Sequence, residues 1–356
     1  MWRIGMILCL AGLAFLCGCH KAEESGTRAV TDMFGRTVSI PQKINRVMGT
    51  GGAVDEWILL LGHPEKLVVT SMNIKRNPWF VMIYPPILKL PAFTSFSNEG
   101  QSSANKETIL SARPEVAIFL SEPSIENIGG LGIPALGMQK RSPQELQKAI
   151  RITGEVLGED EKRVAKQFCD YYDSNMARIL SRTQGISHSQ RPRVYQAGGN
   201  NGLNTAGKEN IVTVWIEMAG GVNVAAEHGV EPMSATASME DLLRWDPEII
   251  IVSAPEIKTY IQENPAWTTV TAVRQKRIYV TPKGVYMWGV RAAEEALQVL
   301  WAGKTIHPEL FPNLDMAKET WKFHHRFYHY DLSAANIQHM LLAEPPEPNQ
   351  PQGDAP

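Results

Sequence analysis

The chain of 356 residues has no apolar run of 18 or more, so no segment of it is long enough to cross a bilayer as a helix. Charge of either sign is scarce: 35 Lys and Arg stand against 37 Asp and Glu, a formal net charge of −2. That balance leaves no basic stripe for a nucleic-acid backbone and excludes that class of partner. The motifs HExxH and GxSxG are missing and no Cys/His cluster occurs, which removes the usual signatures of an anchored metal-dependent or serine hydrolase. No G-x(4)-G-K-[ST] is present either, so no phosphate loop is expected. Cysteine is limited to Cys9, Cys17, Cys19 and Cys169. What remains is 44% apolar and 20% charged, enough to bury a core, and the length suggests two lobes.

The first residues do not read as part of that core. Arg3 is followed by fourteen mostly apolar residues and then Gly18-Cys19, the layout of an export signal over residues 1–18; a buried N-terminal helix is the alternative. Leu16-Cys17-Gly18-Cys19 resembles the bacterial lipobox, whose last cysteine becomes the lipidated first residue. On this reading Cys19 carries the lipid and residues 19–28 form a tether. The protein is then exported and anchored to a bacterial membrane, facing the periplasm or the exterior. His20 rather than Asp follows the lipidated position, which favours the outer membrane in a Gram-negative source. Cys169 is left without a partner, so no internal disulfide is expected even in an oxidising compartment. Residues 342–356 are Pro-rich and read as a disordered tail.

Between these ends, short apolar runs alternate with helical patterns. Residues 47–50, 67–71, 116–121, 135–138, 194–197, 249–253 and 278–281 read as strands, most of them continuously apolar as parallel strands buried on both faces are. The order predicts an α/β fold: two Rossmann-like lobes with mainly parallel sheets, over 29–158 and 186–341. Alternation around Phe34-Gly35-Arg36 predicts a small hairpin before the first lobe's sheet. Residues 159–185 contain one long helix. Val164, Phe168, Tyr171, Tyr172, Met176 and Ile179 recur at helical spacing, and Glu159-Asp160-Glu161 place acids in its first turn. It is either the connector between lobes or a surface helix of one larger domain.

Two stretches match at a constant offset of 133 residues, 105–118 and 238–251. Each reads as cap residue, short helix, Pro-Glu, buried strand. With Asn105 and Ser238 as N-caps, Glu107 and Glu240 fall at the second helical position. The two carboxylates either only favour their helix dipoles or form an exposed pair, one per lobe, for arginines of a partner.

The paired N/S-x-E-x-[IL]-L-x(3)-P-[DE]-[VI] units flanking one long helix resemble the class III, helical-backbone substrate-binding proteins of ABC importers for iron chelates, cobalamin and related metal ligands. Asn77-Pro78-Trp79-Phe80, Gly202-Leu203-Asn204-Thr205, residues 217–225, residues 284–291 and residues 327–333 resemble blocks of one branch of that family, and the similarity covers about residues 28–340. The resemblance implies a receptor that performs no chemistry. It captures a solute between its lobes with modest hinge motion and delivers it to a permease and its ATPase. It implies that Glu107 and Glu240 dock on permease arginines, that the protein acts as a monomer, and that it has no intrinsic cofactor. A ferric siderophore is the first expectation for the solute, with cobalamin, a nickel chelate and molybdate or tungstate as alternatives. A sensor or adhesion lipoprotein without a permease keeps the same fold.

Ligands in open α/β sheets sit outside the carboxyl ends of strands. That rule points to Thr50, Gly51 and Gly52, where glycine lets backbone approach a ligand or simply makes a turn. Trp79 and Tyr84 add aromatics, Asn200 and Asn201 follow a second-lobe strand, and Tyr286, Trp288 and Arg291 follow the last one. His325 and His329 stand four residues apart but lack a third ligand and read as a solvated helix face. His228 and Met233 occupy the loop where relatives place a metal-contacting side chain. The loose match there argues for a chelate held by aromatics and arginine, with no protein metal ligand.

Overall fold

The computed structural model of the protein describes residues 26–94, 103–231 and 235–347. The expected export signal, the expected lipidation site Cys19, Met233 and the tail beyond Glu347 therefore lie outside the described residues. The chain opens with an antiparallel hairpin, β1 (Thr27–Thr31) and β2 (Thr37–Pro41), closed by a turn over Asp32–Arg36. Asp32 organises that turn: its carboxylate accepts the Phe34 and Arg36 amides and pairs with the Arg36 guanidinium, and against the cost of burial the Gly137 amide together with Arg36 holds its pKa below the usual value.

The first lobe follows with β3 (Val47–Met48), β4 (Leu67–Ser71), β5 (Ala92–Phe93), β6 (Val116–Phe119) and β7 (Ala135–Gly137). They form one parallel sheet in the order β5-β4-β3-β6-β7. The second lobe contributes β8 (Arg193–Ala197), β9 (Asn204–Thr205), β10 (Val222–Asn223), β11 (Ala235–Thr236), β12 (Ile249–Val252) and β13 (Ile278–Val280). Of these, β10-β8-β12-β13 make a second parallel sheet, and β9 with β11 a small antiparallel pair. Several strands end one or two residues earlier than the apolar runs suggest. Thr50, Ser253 and Thr281 leave the ladder at the sheets' carboxyl edges and line the cleft described below.

Between the lobes runs the helix Glu159–Thr183. Its buried stripe of Phe168, Tyr172 and Ile179 contributes about 1.5–3 kcal/mol per side chain. Gly154 of the helix Pro143–Leu157 lets the two helices cross closely, because a Cβ there would stand 2.8 Å from both the Ala165 Cβ and the Glu161 carbonyl. On its other side the long helix packs on the helix Glu295–Ile306, where Asn175 Nδ2 donates to the Ala296 carbonyl at 2.8 Å and the Tyr172 hydroxyl to Glu295 at 2.7 Å. The largest apolar cluster is continuous across this region: Trp57 and Phe80 from the first half, Phe168 and Tyr172 from the long helix, Trp215, Trp288 and Leu297 from the second. A second cluster, with Tyr195, Trp245 and Trp267, belongs to the second sheet alone. Cys169 is buried as a free thiol, and burial raises its pKa to about 11.

The repeat appears as a corner built twice. In the first lobe Glu115 accepts the amides of Asn45 (2.7 Å) and Arg46 (3.0 Å), while the Arg46 guanidinium caps the carbonyls of Ala112 and Arg113. In the second, Glu248 accepts the Arg193 amide (2.9 Å) and Arg193 caps the Asp246 carbonyl. Arg113 and Asp246, equivalent by the repeat, both take a left-handed conformation, with φ of 45° and 38°. The helix starts differ. Ser238 caps Met239–Trp245 in a full capping box with Asp241, as the sequence suggests. Asn105 is not a cap, since its helix runs from Ser103 to Ala112 and begins two residues earlier. The tail also departs from expectation at its start. The Glu344 amide donates to the His339 carbonyl and the Glu347 amide to Asn336 Oδ1, so Glu344 and Glu347 are tied to the helix Ala334–Leu341.

Candidate functional site

A cleft of about 520 Å3 opens at the carboxyl edge of the first sheet. Thr50, Gly51 and Gly52 enter it after β3, Ser71, Asn73, Ile74 and residues 76–78 at the end of β4 and beyond, and Phe93 and Thr94 at the end of β5; Lys283, Tyr286 and Met287 close it from the second half. A smaller crevice continues from Lys283 and Met287 into the second lobe, past Gln196, Ser253 and Thr281 at the ends of β8, β12 and β13.

Local chemistry fixes each wall. Gly51 turns at φ 87° and donates its amide to Asp55 Oδ1 at 3.1 Å, so this amide faces inward. Asp55 also accepts the Thr70 hydroxyl and is fully buried, which raises its pKa to about 7. Gly52 has φ 58°, and a Cβ there would lie 3.0 Å from the Tyr286 hydroxyl, so only glycine admits this approach of the two halves. Ser71 caps the short helix Met72–Lys75 by accepting the Ile74 amide. Asn77 caps Pro78–Ile83 through Oδ1 and donates Nδ2 to the Val285 carbonyl at 2.6 Å, tying the loop of the second half to the first lobe. Arg76 and Lys283 are exposed in the cleft, and neither makes an ion pair among the described residues. Among the described residues no carboxylate lines the cleft, and Arg76 and Lys283 make that lining cationic.

Of the residues the sequence pointed to, the structure gathers Thr50, Gly51, Gly52 and Tyr286 in this cleft. Trp79 and Trp288 are 1% and 0% exposed and belong to the core, a correction to their expected place on the cleft wall. Trp79 Nε1 donates instead to the Glu344 carbonyl at 3.2 Å. Tyr84 ends the helix Pro78–Ile83, half-buried against the core. Asn200 and Asn201 are exposed in a turn whose Gly202 packs towards Ile261 and Trp267, away from the cleft lining. Arg291, at φ 66°, is partly buried and offers its carbonyl to Lys140 Nζ at 2.9 Å.

Sequence reasoning missed Ser71, Asn73, Arg76, Asn77 and Lys283. The strand-end rule that selected residues 50–52 would have found the first four after 67–71 had it been applied there. Glu107 and Glu240 are both exposed on their respective helices. His325 and His329 are exposed, and the His325 ring stacks on Trp321 at 4.7 Å and reaches Asp331 at 2.7 Å. The adjoining His324 is instead fully buried. His228 stacks on Trp245. No group of three or more His, Cys, Asp or Glu is disposed for a metal ion among the described residues.

Two parallel-sheet lobes, one long connecting helix and a cleft between them define a class III solute-binding protein. The sequence pattern described as "Periplasmic binding protein" matches residues 47–285, and the chain belongs to that family. It is 24% identical over 331 residues to the molybdate-binding protein MolA of Haemophilus influenzae, covering 85% of this chain and 91% of that one. Among solved structures, a periplasmic solute-binding protein of Veillonella parvula superposes with a TM-score of 0.76 at 26% identity, over 89% of this chain and 97% of that one. MolA bound to molybdate gives 0.76 at 22%, over 86% and 99%. Helicobacter pylori CeuE with bound Ni(II) gives 0.70 at 17%, over 88% and 99%.

Proposed function

We propose that the protein is the lipid-anchored receptor of an ABC import system and that its cleft captures a small anionic metal species. The observation that carries this reading is the lining: Arg76, Lys283 and hydroxyls meet there, with no carboxylate, histidine or cysteine among the described lining residues. A bare cation would find nothing to bind there, whereas an oxyanion would meet charge-assisted donors. With both tryptophans in the core, the aromatic rings left among the described lining residues are those of Phe93 and Tyr286. A molybdate- or tungstate-type oxyanion fits these donors best, and the likeness to MolA supports it. The cleft volume favours a second reading, a ferric siderophore or other anionic chelate, since about 520 Å3 lies in the range of organic-ligand pockets.

Calorimetric titration with molybdate, tungstate, sulfate, a ferric catecholate, nickel–histidine and cobalamin tests both. Tight binding of the oxyanions is expected. Exclusive binding of the ferric chelate selects the second reading, and binding of free cations alone overturns both. In cells, Glu107→Lys with Glu240→Lys should abolish uptake while solute affinity stays unchanged. Cys19→Ser should release the protein from the membrane. The core shared by the two halves supports a hinge motion of only a few degrees, which scattering with and without solute would measure.

A further inference from the structure

The wall that carries Lys283 and Tyr286 belongs to the second half of the chain but is fastened to the first lobe through fully buried carboxylates. We infer that Glu56 and Glu294 act in series as positioning residues for solute binding: Glu56 fixes the Glu294 backbone, and the Glu294 side chain fixes Tyr286 at the cleft. This inference rests on reading the cleft as the solute site.

The geometry is continuous from one lobe to the other. Glu56, on the helix Ala53–Leu60, accepts the Ala293 amide at 3.0 Å, the Glu294 amide at 3.1 Å and the Tyr328 hydroxyl at 2.8 Å. Those two amides stand at the start of the helix Glu295–Ile306, so a carboxylate of the first lobe serves a helix N-terminus of the second. Glu294 in turn accepts the Val285 amide at 3.2 Å and the Tyr286 amide at 3.0 Å. A Cβ on Gly284 would stand 2.3 Å from Glu294 Oε1, so this turn closes only over glycine. Glu56, Glu294 and Glu295 are all 0% exposed. Apolar side chains could fill such space without the desolvation penalty of buried carboxylates. They could not accept four backbone amides and so hold a loop at one height.

Charged groups face this seam from every element around it. Glu294 and Glu295 come from the second half, and His324 Nε2 lies 3.1 Å from Glu294 Oε1. Tyr328 comes from the C-terminal segment. Lys140 reaches in from the loop after β7, bonded to the Arg291 carbonyl and 5.8 Å from the Tyr286 ring. Asp55, on the same helix as Glu56, faces Gly51 and Thr70 instead. Burial, followed by repulsion from Glu294, pushes the Glu56 pKa up to about 8. Below that pH Glu56 is neutral; above it the seam gains a buried negative charge that loosens the loop, so affinity falls on the alkaline side.

The test uses the mature protein with molybdate, tungstate and a ferric catecholate as probes, titrated from pH 6 to pH 9.5. Amide hydrogen exchange at Val285 and Tyr286 is followed in parallel. For the wild type, affinity for the bound probe should drop above pH 8. Glu56→Gln and Glu294→Gln each put an NH2 group where an oxygen accepts a backbone amide, and should weaken affinity by about 10-fold and speed exchange at Val285 and Tyr286. Glu56→Gln should also flatten the pH profile. Tyr328→Phe removes a donor that favours the ionised form and leaves the chain otherwise intact; it should move the alkaline midpoint upward. Unchanged exchange and affinity in the folded Gln variants, or an unmoved midpoint in Tyr328→Phe, overturns the inference. If the wild type binds none of the probes, the reading of the cleft fails, and exchange at Val285 and Tyr286 still decides whether the carboxylates position the loop.

Discussion

In both lobes an arginine at the foot of the central strand caps the end of a short helix, and a glutamate after proline caps the strand: Arg46 with Glu115, and Arg193 with Glu248. The cleft does not share this symmetry. Three strand ends of the first lobe supply its floor, while most of its other wall comes from one loop of the second half that Asn77, Lys140 and Glu56 hold to the first lobe. The duplicated part is scaffold, set by hydrogen bonds that tie each copy of the motif to the foot of the neighbouring strand. The binding surface depends on which loops meet across the seam, and there the two halves have diverged.

That asymmetry can be broken most severely at the paired glycine turns. Gly52→Val should lower solute affinity about 100-fold or more, because it adds strain at φ 58° and a clash with Tyr286. Gly199→Val, at φ 67° in the turn after β8, should strain its own loop and leave affinity unchanged, since that loop lies off the cleft. Titration calorimetry on both variants makes the comparison, and equal losses would show a symmetric site. Next in size, Arg76→Ala and Lys283→Ala should each cost about 10-fold in affinity, more at low ionic strength, as charged donors to an anion do.

A third effect separates the seam from the second sheet by pH. Asp55, Glu56 and Glu295 have pKa values raised by burial from 3.8, 4.5 and 4.5 to about 7, 8 and 7. Groups raised in the fold stabilise it fully below their ordinary values, and that contribution is lost as pH rises through the folded ones. The melting temperature should therefore fall between pH 6 and pH 8, and Asp55→Asn should reduce the slope. Lys140, lowered to about 8 by burial, works in the other direction at higher pH and should flatten the curve there. The smallest contrast lies in the repeat itself. Ser238→Ala should cost about 1 kcal/mol in chemical denaturation, whereas Asn105→Ala, inside its helix, should leave stability unchanged or raise it by a few tenths, alanine being the better helix former.

Much of the scaffold was legible along the chain. Leu67–Ser71 and Glu159–Thr183 stand where apolar runs and helical spacing place them, because strand burial and helix amphipathicity leave local periodic marks. The repeat was equally plain, being a matter of spacing. The aromatics misled. Trp79 and Trp288 carry no mark in the sequence that separates a cleft face from a core face, and each sits one or two residues from a residue that does line the cleft. Glu56 and Glu294 were invisible for a related reason: within an apolar helix or before an Ala-rich one, a carboxylate reads as surface until its partners are known.

Sequence alone determined the alternation of parallel strands with helices, the long amphipathic helix and the repeated helix–strand unit, each of which leaves its mark among near neighbours in the chain. Only the tertiary structure decided which side chains face the cleft and that the loop around Tyr286 is held by the opposite lobe. Those outcomes depend on contacts between residues more than two hundred positions apart, such as Glu56 with Ala293, and no local pattern encodes them.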